Sequence, residues 1–281
     1  MRTETFQTPG PVRLDIRLGA GEVRLEASQT SETTVRLEGL RDNDATNEAI
    51  EIARVEQRGD DILVEIRGSR RFGRGAEILI EVACPEDSSV HARTGSADIE
   101  GRGRLGSVEV ETGSGDVQFG ELSGDVKVNA ASGDVQFSKV EGEARINTAS
   151  GDIQIASIGG DAKVNSASGD VMINKAGGRF EANSASGDVL LREASSSVGV
   201  NTASGDQMIG SVVEGRIDLK SASGDLKIGI REGSTLWVDA RSRSGDVRSE
   251  LPVSDLPPEG DAPHIELRAN SMSGDITVVR A

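Results

Sequence analysis

The sequence predicts an all-β fold, a parallel β-solenoid (β-helix) with 18-residue coils, and three observations carry that prediction. A Ser-Gly-Asp triplet followed by an apolar residue returns at a constant interval. Each interval holds two short runs in which apolar and polar residues alternate. The 281 residues include 35 Gly but no Tyr, and aromatics are 2% of the chain. Val, Ile, Leu and Ala must therefore fill the core, and tight turns must be frequent.

The interval comes first. The triplet aspartates are Asp116, Asp134, Asp152, Asp170, Asp188 and Asp206, each 18 residues after the last, and Asp98 in "TGSADI" extends the series one step upstream. Downstream, Asp225, Asp246 and Asp275 follow at steps of 19, 21 and 29, which reads as insertions accumulating towards the C-terminus. Inside a unit a weaker period of about nine marks two strands, each followed by one more inward residue at a corner. From Asp134 the inward set is Val135, Phe137, Val140, Ala144, Ile146 and Ala149; from Asp152 it is Ile153, Ile155, Ile158, Ala162, Val164 and Ala167. Gln136, Gln154, Lys163 and Arg145 stand between them and face water. One coil cannot bury its apolar face alone, but stacked coils share a continuous core. The general bias of parallel crossovers makes the coil right-handed.

The triplet has a physical role at the corner between strands. Gly115, Gly133, Gly151, Gly169, Gly187 and Gly205 supply positive φ at low cost, and the flanking Ser and Asp can bond turn amides that no sheet ladder satisfies. A second polar row, Asn129, Asn147, Asn165, Asn183 and Asn201, has the same 18-residue step and predicts a stacked amide ladder. A calcium row along Asp116, Asp134, Asp152, Asp170, Asp188 and Asp206 is the sharper alternative, because stacked carboxylates repel and a divalent cation relieves the repulsion. The match to calcium-binding nonapeptide repeats is poor, since Asp here directly precedes Val or Ile.

The ends differ from the middle. Residues 1–93 are read as an N-terminal cap with degenerate coils. They contain "GAGEVRLEA", a faded copy of the repeat at Gly21, Glu22 and Val23, and one short helix in "NDATNEAIEIARVEQ", N-capped by Asn43 or Asp44. Residues 94–281 are the regular solenoid, with a Pro-containing loop insertion near 249–263, and the whole is one continuous domain. Trp237 is assigned to core or cap packing, and His91, between Val90 and Ala92, to an exposed strand position.

Composition narrows the function. A net charge of −16 repels phosphate backbones and anionic head groups, which disfavours nucleic acid and membrane partners. The single Cys84 closes a strand, reads as a buried structural thiol, and has no internal disulfide partner. The opening "MRTETFQTPGPVRLDIRL" has no apolar h-region, so a cytoplasmic location is expected. The carboxylates repeat identically along the chain, whereas an active site is a single departure from a pattern. "GAGEVR" and "GSGDVQ" lead into strand alternation instead of a helix, and no Walker loop is present. No enzyme activity and no cofactor are expected.

The units "NTASGDIQI", "NSASGDVMI" and "NSASGDVLL", with the opening "FQTPGPVRLDIRLGAGEVRLEAS" and the closing "SGDITVVR", resemble the bacterial β-strand-repeat family called "putative adhesins", a domain of unknown function of actinobacterial type. The resemblance covers nearly the full chain and implies the solenoid fold; it brings no catalytic residues. The function expected is a non-enzymatic interaction or scaffold module whose partner is a macromolecule, a protein by preference. The alternative is a self-assembling structural protein similar to β-helical cytoskeletal proteins.

Overall fold

Alternation with a period of two sends every second side chain inwards, and the repeat brings equivalent side chains into register from coil to coil. The computed structural model, which describes residues 1–66, 76–251 and 264–281, is accordingly a solenoid-like arrangement of mostly parallel strands. It has one α-helix among the described residues. Two compact units are formed, Met1–Gly142 and Glu143–Ala281.

In the second unit each strand that precedes a Ser-Gly-Asp corner pairs in parallel with its counterpart one repeat on. Ala144–Ser150 aligns with Ala162–Ser168, then Phe180–Ser186, Val198–Ser204 and Gly215–Ser223. The strands after the corner stack likewise: Ile153–Ile158, Val171–Ala176, Val189–Ala194, Gln207–Val212 and Leu226–Ile230. The inward rows are dry, with Ile146, Ile155, Val164, Ile173, Leu191 and Val200 all fully buried. Burial of such a side chain is worth roughly 1.5–3 kcal/mol.

Two inward assignments are corrected. Ala149 and Ala167 are exposed, and Thr148 and Ser166 take the inward positions at 7% and 8% exposure. The strand keeps its period of two up to the corner, so the residue two after Ile146 turns in. Its hydroxyl then finds a partner at the corner: Thr148 donates to the Ser150 carbonyl at 2.9 Å and Ser166 to the Ser168 carbonyl at 3.0 Å.

The last two coils are not stacked in chain order. His264–Ser273 pairs with Gly215–Ser223 on one side and with Thr235–Ser242 on the other. Ile276–Arg280 likewise lies between Leu226–Ile230 and Val247–Ser249. The step of 21 therefore does not join neighbouring coils, since the coil of Asp275 sits between those of Asp225 and Asp246. Side-chain chemistry explains the order. Ile265, Leu267, Ala269, Ile276 and Val278 are at most 1% exposed and suit a place between two neighbours. The coil before them sets Ser249 opposite Val278 and leaves Val247 47% exposed, as befits a terminal repeat. Cysteines replacing the outward residues Lys227 and Thr277 are expected to form a disulfide on mild oxidation, because paired strands lie within disulfide reach. The pair Lys227→Cys/Arg248→Cys is expected to stay reduced; chain-order stacking would reverse the two results in non-reducing mass spectrometry. The insertion expected near 249–263 lies, from residue 252 onward, outside the described residues.

In the first unit Arg13–Ser28 is the central coil. It runs parallel to Ser89–Leu105 on one side and to Asp61–Glu65 and Ile78–Pro85 on the other. Gly21 aligns with Ala97 and Glu22 with Asp98, so the faded repeat stacks on the first regular corner. Three pairings are antiparallel: Arg2–Gln7 on Glu32–Gly39, Glu32–Gly39 on Ile78–Pro85, and Arg54–Arg58 on Asp61–Glu65. The helix spans Asp44–Glu51, with the Asn43 side chain accepting from the Thr46 amide at 2.8 Å. It is shorter than "NDATNEAIEIARVEQ" suggests. Arg54–Arg58 instead joins a hairpin through Gly59, whose φ is +63°, and Val55 pairs with Val64 across it.

Candidate functional site

The Ser-Gly-Asp corner is built from backbone geometry. Gly115, Gly133, Gly151, Gly169, Gly187 and Gly205 have φ between +113° and +133°. That turn leaves the amide of the following Asp outside the strand pairing, and the Asp of the neighbouring coil accepts it. In the first unit the Asp116 amide donates to Asp98 Oδ1 and the Asp134 amide to Asp116 Oδ1, both at 2.9 Å. In the second unit Asp152 Oδ1 accepts from Asp170, Asp170 from Asp188, Asp188 from Asp206 and Asp206 from Asp225, at 2.7–2.9 Å. The series follows the stacking order and not the chain: Asp225 accepts from Asp275, and Asp275 from Asp246. The aspartates are exposed apart from the half-buried Asp275, and each accepting carboxylate commits one oxygen to a backbone donor. This is turn chemistry that offsets part of the like-charge repulsion along the row.

Asn147, Asn165, Asn183 and Asn201 stack on the outward face of the strands before the corner. Asn165 donates to Asn147 at 2.8 Å, Asn183 to Asn165 at 2.9 Å and Asn201 to Asn183 at 3.0 Å. Asn129 lies in the first unit, in register with Glu111. The column beside them carries charge, with Lys127 on Glu109 at 2.7 Å and Arg145 on Glu143 at 2.6 Å. These are exposed pairs of small energetic weight.

The outward face after the corner differs between units, and this was not read from the repeat. Gln118 aligns with Gln136 in the first unit. In the second, the column beginning at Gln154 runs through Met172, Leu190 and Met208 before reaching Lys227. Met208 is 44% exposed. Lining up the units by their aspartates exposes the signal, since all these residues stand two positions after Asp. The inward position one residue earlier also changes character: Val171 and Val189 give way to Gln207, 1% exposed. Its amide donates to Thr202 Oγ1 and to the Lys220 carbonyl, both at 2.8 Å.

Other polar features are accounted for locally. Burial pushes the Cys84 thiol up to about 11, against a lowering hydrogen bond from Ser88, so it stays protonated and unreactive at neutral pH. Hydrogen bonds from Ser123 and Arg104 hold the Asp87 carboxyl below its usual range. A groove of about 640 Å³ in the first unit is lined by Arg24, Arg36, Arg102, Glu26, Glu81 and Glu100. Its arginines are compensated by Glu22, Glu38 and Glu100 at 2.6–2.7 Å. Trp237 does not enter the core: its neighbour Leu236 does, and the Trp237 ring faces outward beneath the Arg268 guanidinium, 5.7 Å from its centroid. Among the described residues no helix is long and apolar enough to cross a membrane.

A family model described as Toastrack DUF4097 matches residues 12–211 and again 179–279. Solved structures to which the chain is similar include a "putative adhesin" of Bacteroides fragilis, 11% identical, with a TM-score of 0.45 over 99% of this chain and 96% of that one. A "putative lipid binding protein" of Parabacteroides distasonis is 13% identical, with a TM-score of 0.41 over 100% and 96%. A "putative adhesin" of Parabacteroides merdae is 11% identical, with a TM-score of 0.38 over 99% and 96%. The curated proteins contain no match.

Proposed function

The chain belongs to the Toastrack DUF4097 family, and from that premise we propose that it is a non-enzymatic, adhesin-like interaction module that engages a protein partner in the cytoplasm. One observation carries the reading: the in-register column Met172, Leu190 and Met208 on an outward sheet face. Water-facing positions on the neighbouring coils carry mainly charged, amide and small residues, with Trp237, Met272 and Val279 as further apolar exceptions. A run of flexible apolar side chains there lowers no folding free energy that a Lys could not match, as Lys227 in the same column illustrates. Its gain comes when a partner covers it, and Met adapts well to a partner's surface.

The test places a photo-crosslinking amino acid at Met208, and separately at Arg145 on the other outward face, in cells producing the protein. Crosslinks to a discrete protein are expected from position 208 and not from 145, and Met172→Lys is expected to abolish them without changing the melting temperature. Equal labelling from both faces, or none from either, would sink the proposal.

A further inference from the structure

His91 breaks the pattern of its column. On the regular coils that position carries Lys or Arg, such as Lys127, Arg145 and Lys163, an acid, or once Gly199, and never a second His. His91 lies on Ser89–Leu105 and faces outward, flanked inwardly by Val90 and Ala92. It is half-buried instead of exposed. Strand pairing sets it directly beside Glu109, and Glu111 follows on the same face two residues later. A ring nitrogen of His91 and one oxygen from each glutamate lie within 4.8 Å of one another, and among the described residues this is the one group of His, Cys, Asp and Glu so converged. A separate observation bears on the ring: His91 Nε2 is shut off from solvent and meets no hydrogen-bond partner. A buried imidazole nitrogen without a partner is costly, and a ligand is one way to satisfy the ring.

We propose that His91, Glu109 and Glu111 form a binding site for a divalent transition cation of the zinc class. One imidazole nitrogen and two carboxylate oxygens on one sheet face suit a borderline cation, and they leave coordination positions for water. The all-oxygen preference of calcium and magnesium is not met there. The glutamates are held by Lys127 at 2.7 Å and by Arg93 at 3.1 Å. Both cations are about half exposed, and such pairs are weak enough for an incoming metal to displace. The site lies in the first unit and shares no residue with the apolar column.

The test is a zinc titration of the full chain against a chromogenic chelator, repeated with His91→Ala, Glu111→Gln and His264→Ala. Circular dichroism would check that each variant is folded. One equivalent of zinc is expected to bind to the wild type and to raise its melting temperature by mass action. Loss of His91 or of the Glu111 charge should weaken binding at least about tenfold. The His264→Ala chain, altered at an exposed residue outside the cluster, should bind as the wild type does. Excess magnesium should not compete. Undiminished binding by the His91→Ala chain, loss with His264→Ala, or displacement by magnesium would each overturn the site and leave only cations held loosely by an acidic surface.

Discussion

Gly187→Ala is expected to lower the stability of the chain by about 3–5 kcal/mol, one of the largest single-residue effects available in it. Gly187 has φ of +120°, and an added Cβ would stand 2.2 Å from the Gly169 carbonyl oxygen and 2.7 Å from its carbon. The obstacle is backbone, and that backbone is itself stacked on the coil beneath, so neither can move aside. The corner glycines are thus required twice, for the conformation and for the spacing. At 2–4 °C per kcal/mol for a domain of this size class, the melting temperature should fall by roughly 10 °C. Gly199→Ala, on Val198–Ser204, is the control. Its Cβ would meet only Glu181 Cγ at 4.0 Å, and stability should stay the same or rise by up to about 1 kcal/mol. Equal melts for the two variants would refute the stacked-corner account.

Phe137→Ala is expected to cost about 3–5 kcal/mol, through lost burial and the cavity left behind. Phe137 is 1% exposed and stacks on Phe119, with ring centroids 5.9 Å apart and an interplanar angle of 19°. The pair has room because Gly101 precedes Phe119 in the column; a Cβ there would lie 2.2 Å from the Phe119 ring. The corresponding position in the second unit holds Ile155, Ile173, Leu191, Ile209 and Ile228. Phe137→Ile should therefore cost much less, within about 1.5 kcal/mol. Denaturant unfolding of the three proteins would check this. A Phe137→Ala loss below about 1 kcal/mol would mean that the first unit's core can collapse around the deletion.

Local chemistry was legible wherever one repeat could be compared with the next. The 18-residue step, the alternation and the glycine before each aspartate are repeated statements of one rule, so Ile146, Ile155 and Gly187 could be placed without coordinates. The candidate sites were harder to read. His91 and Glu109 stand one 18-residue step apart, but His91 falls before residue 94, where the regular coils are expected to begin, so the register is not extended to it. The Met172–Leu190–Met208 column is a departure from polarity that shows only when outward positions are aligned coil by coil. Thr148 was displaced by Ala149 in the reading because a nine-residue period treats both halves of the coil alike. The strand before the corner keeps its alternation one step further.

The sequence by itself determined the repeating unit, the parallel stacking and the residue types at the corner, because these depend on interactions within a coil and between identical neighbours. Only the tertiary structure decided which coil stands next to which at the C-terminal end. Ser-Gly-Asp-Val at 244–247 and Ser-Gly-Asp-Ile at 273–276 carry the same local instruction, so either could follow Leu226–Ile230. The more apolar inward row of Ile265, Leu267, Ile276 and Val278 lies between two coils, where both its sides are kept from water, and the coil with Ser249 and Val247 goes to the outside. Burial of apolar surface is a property of the assembled stack, and it orders coils that local sequence leaves equivalent.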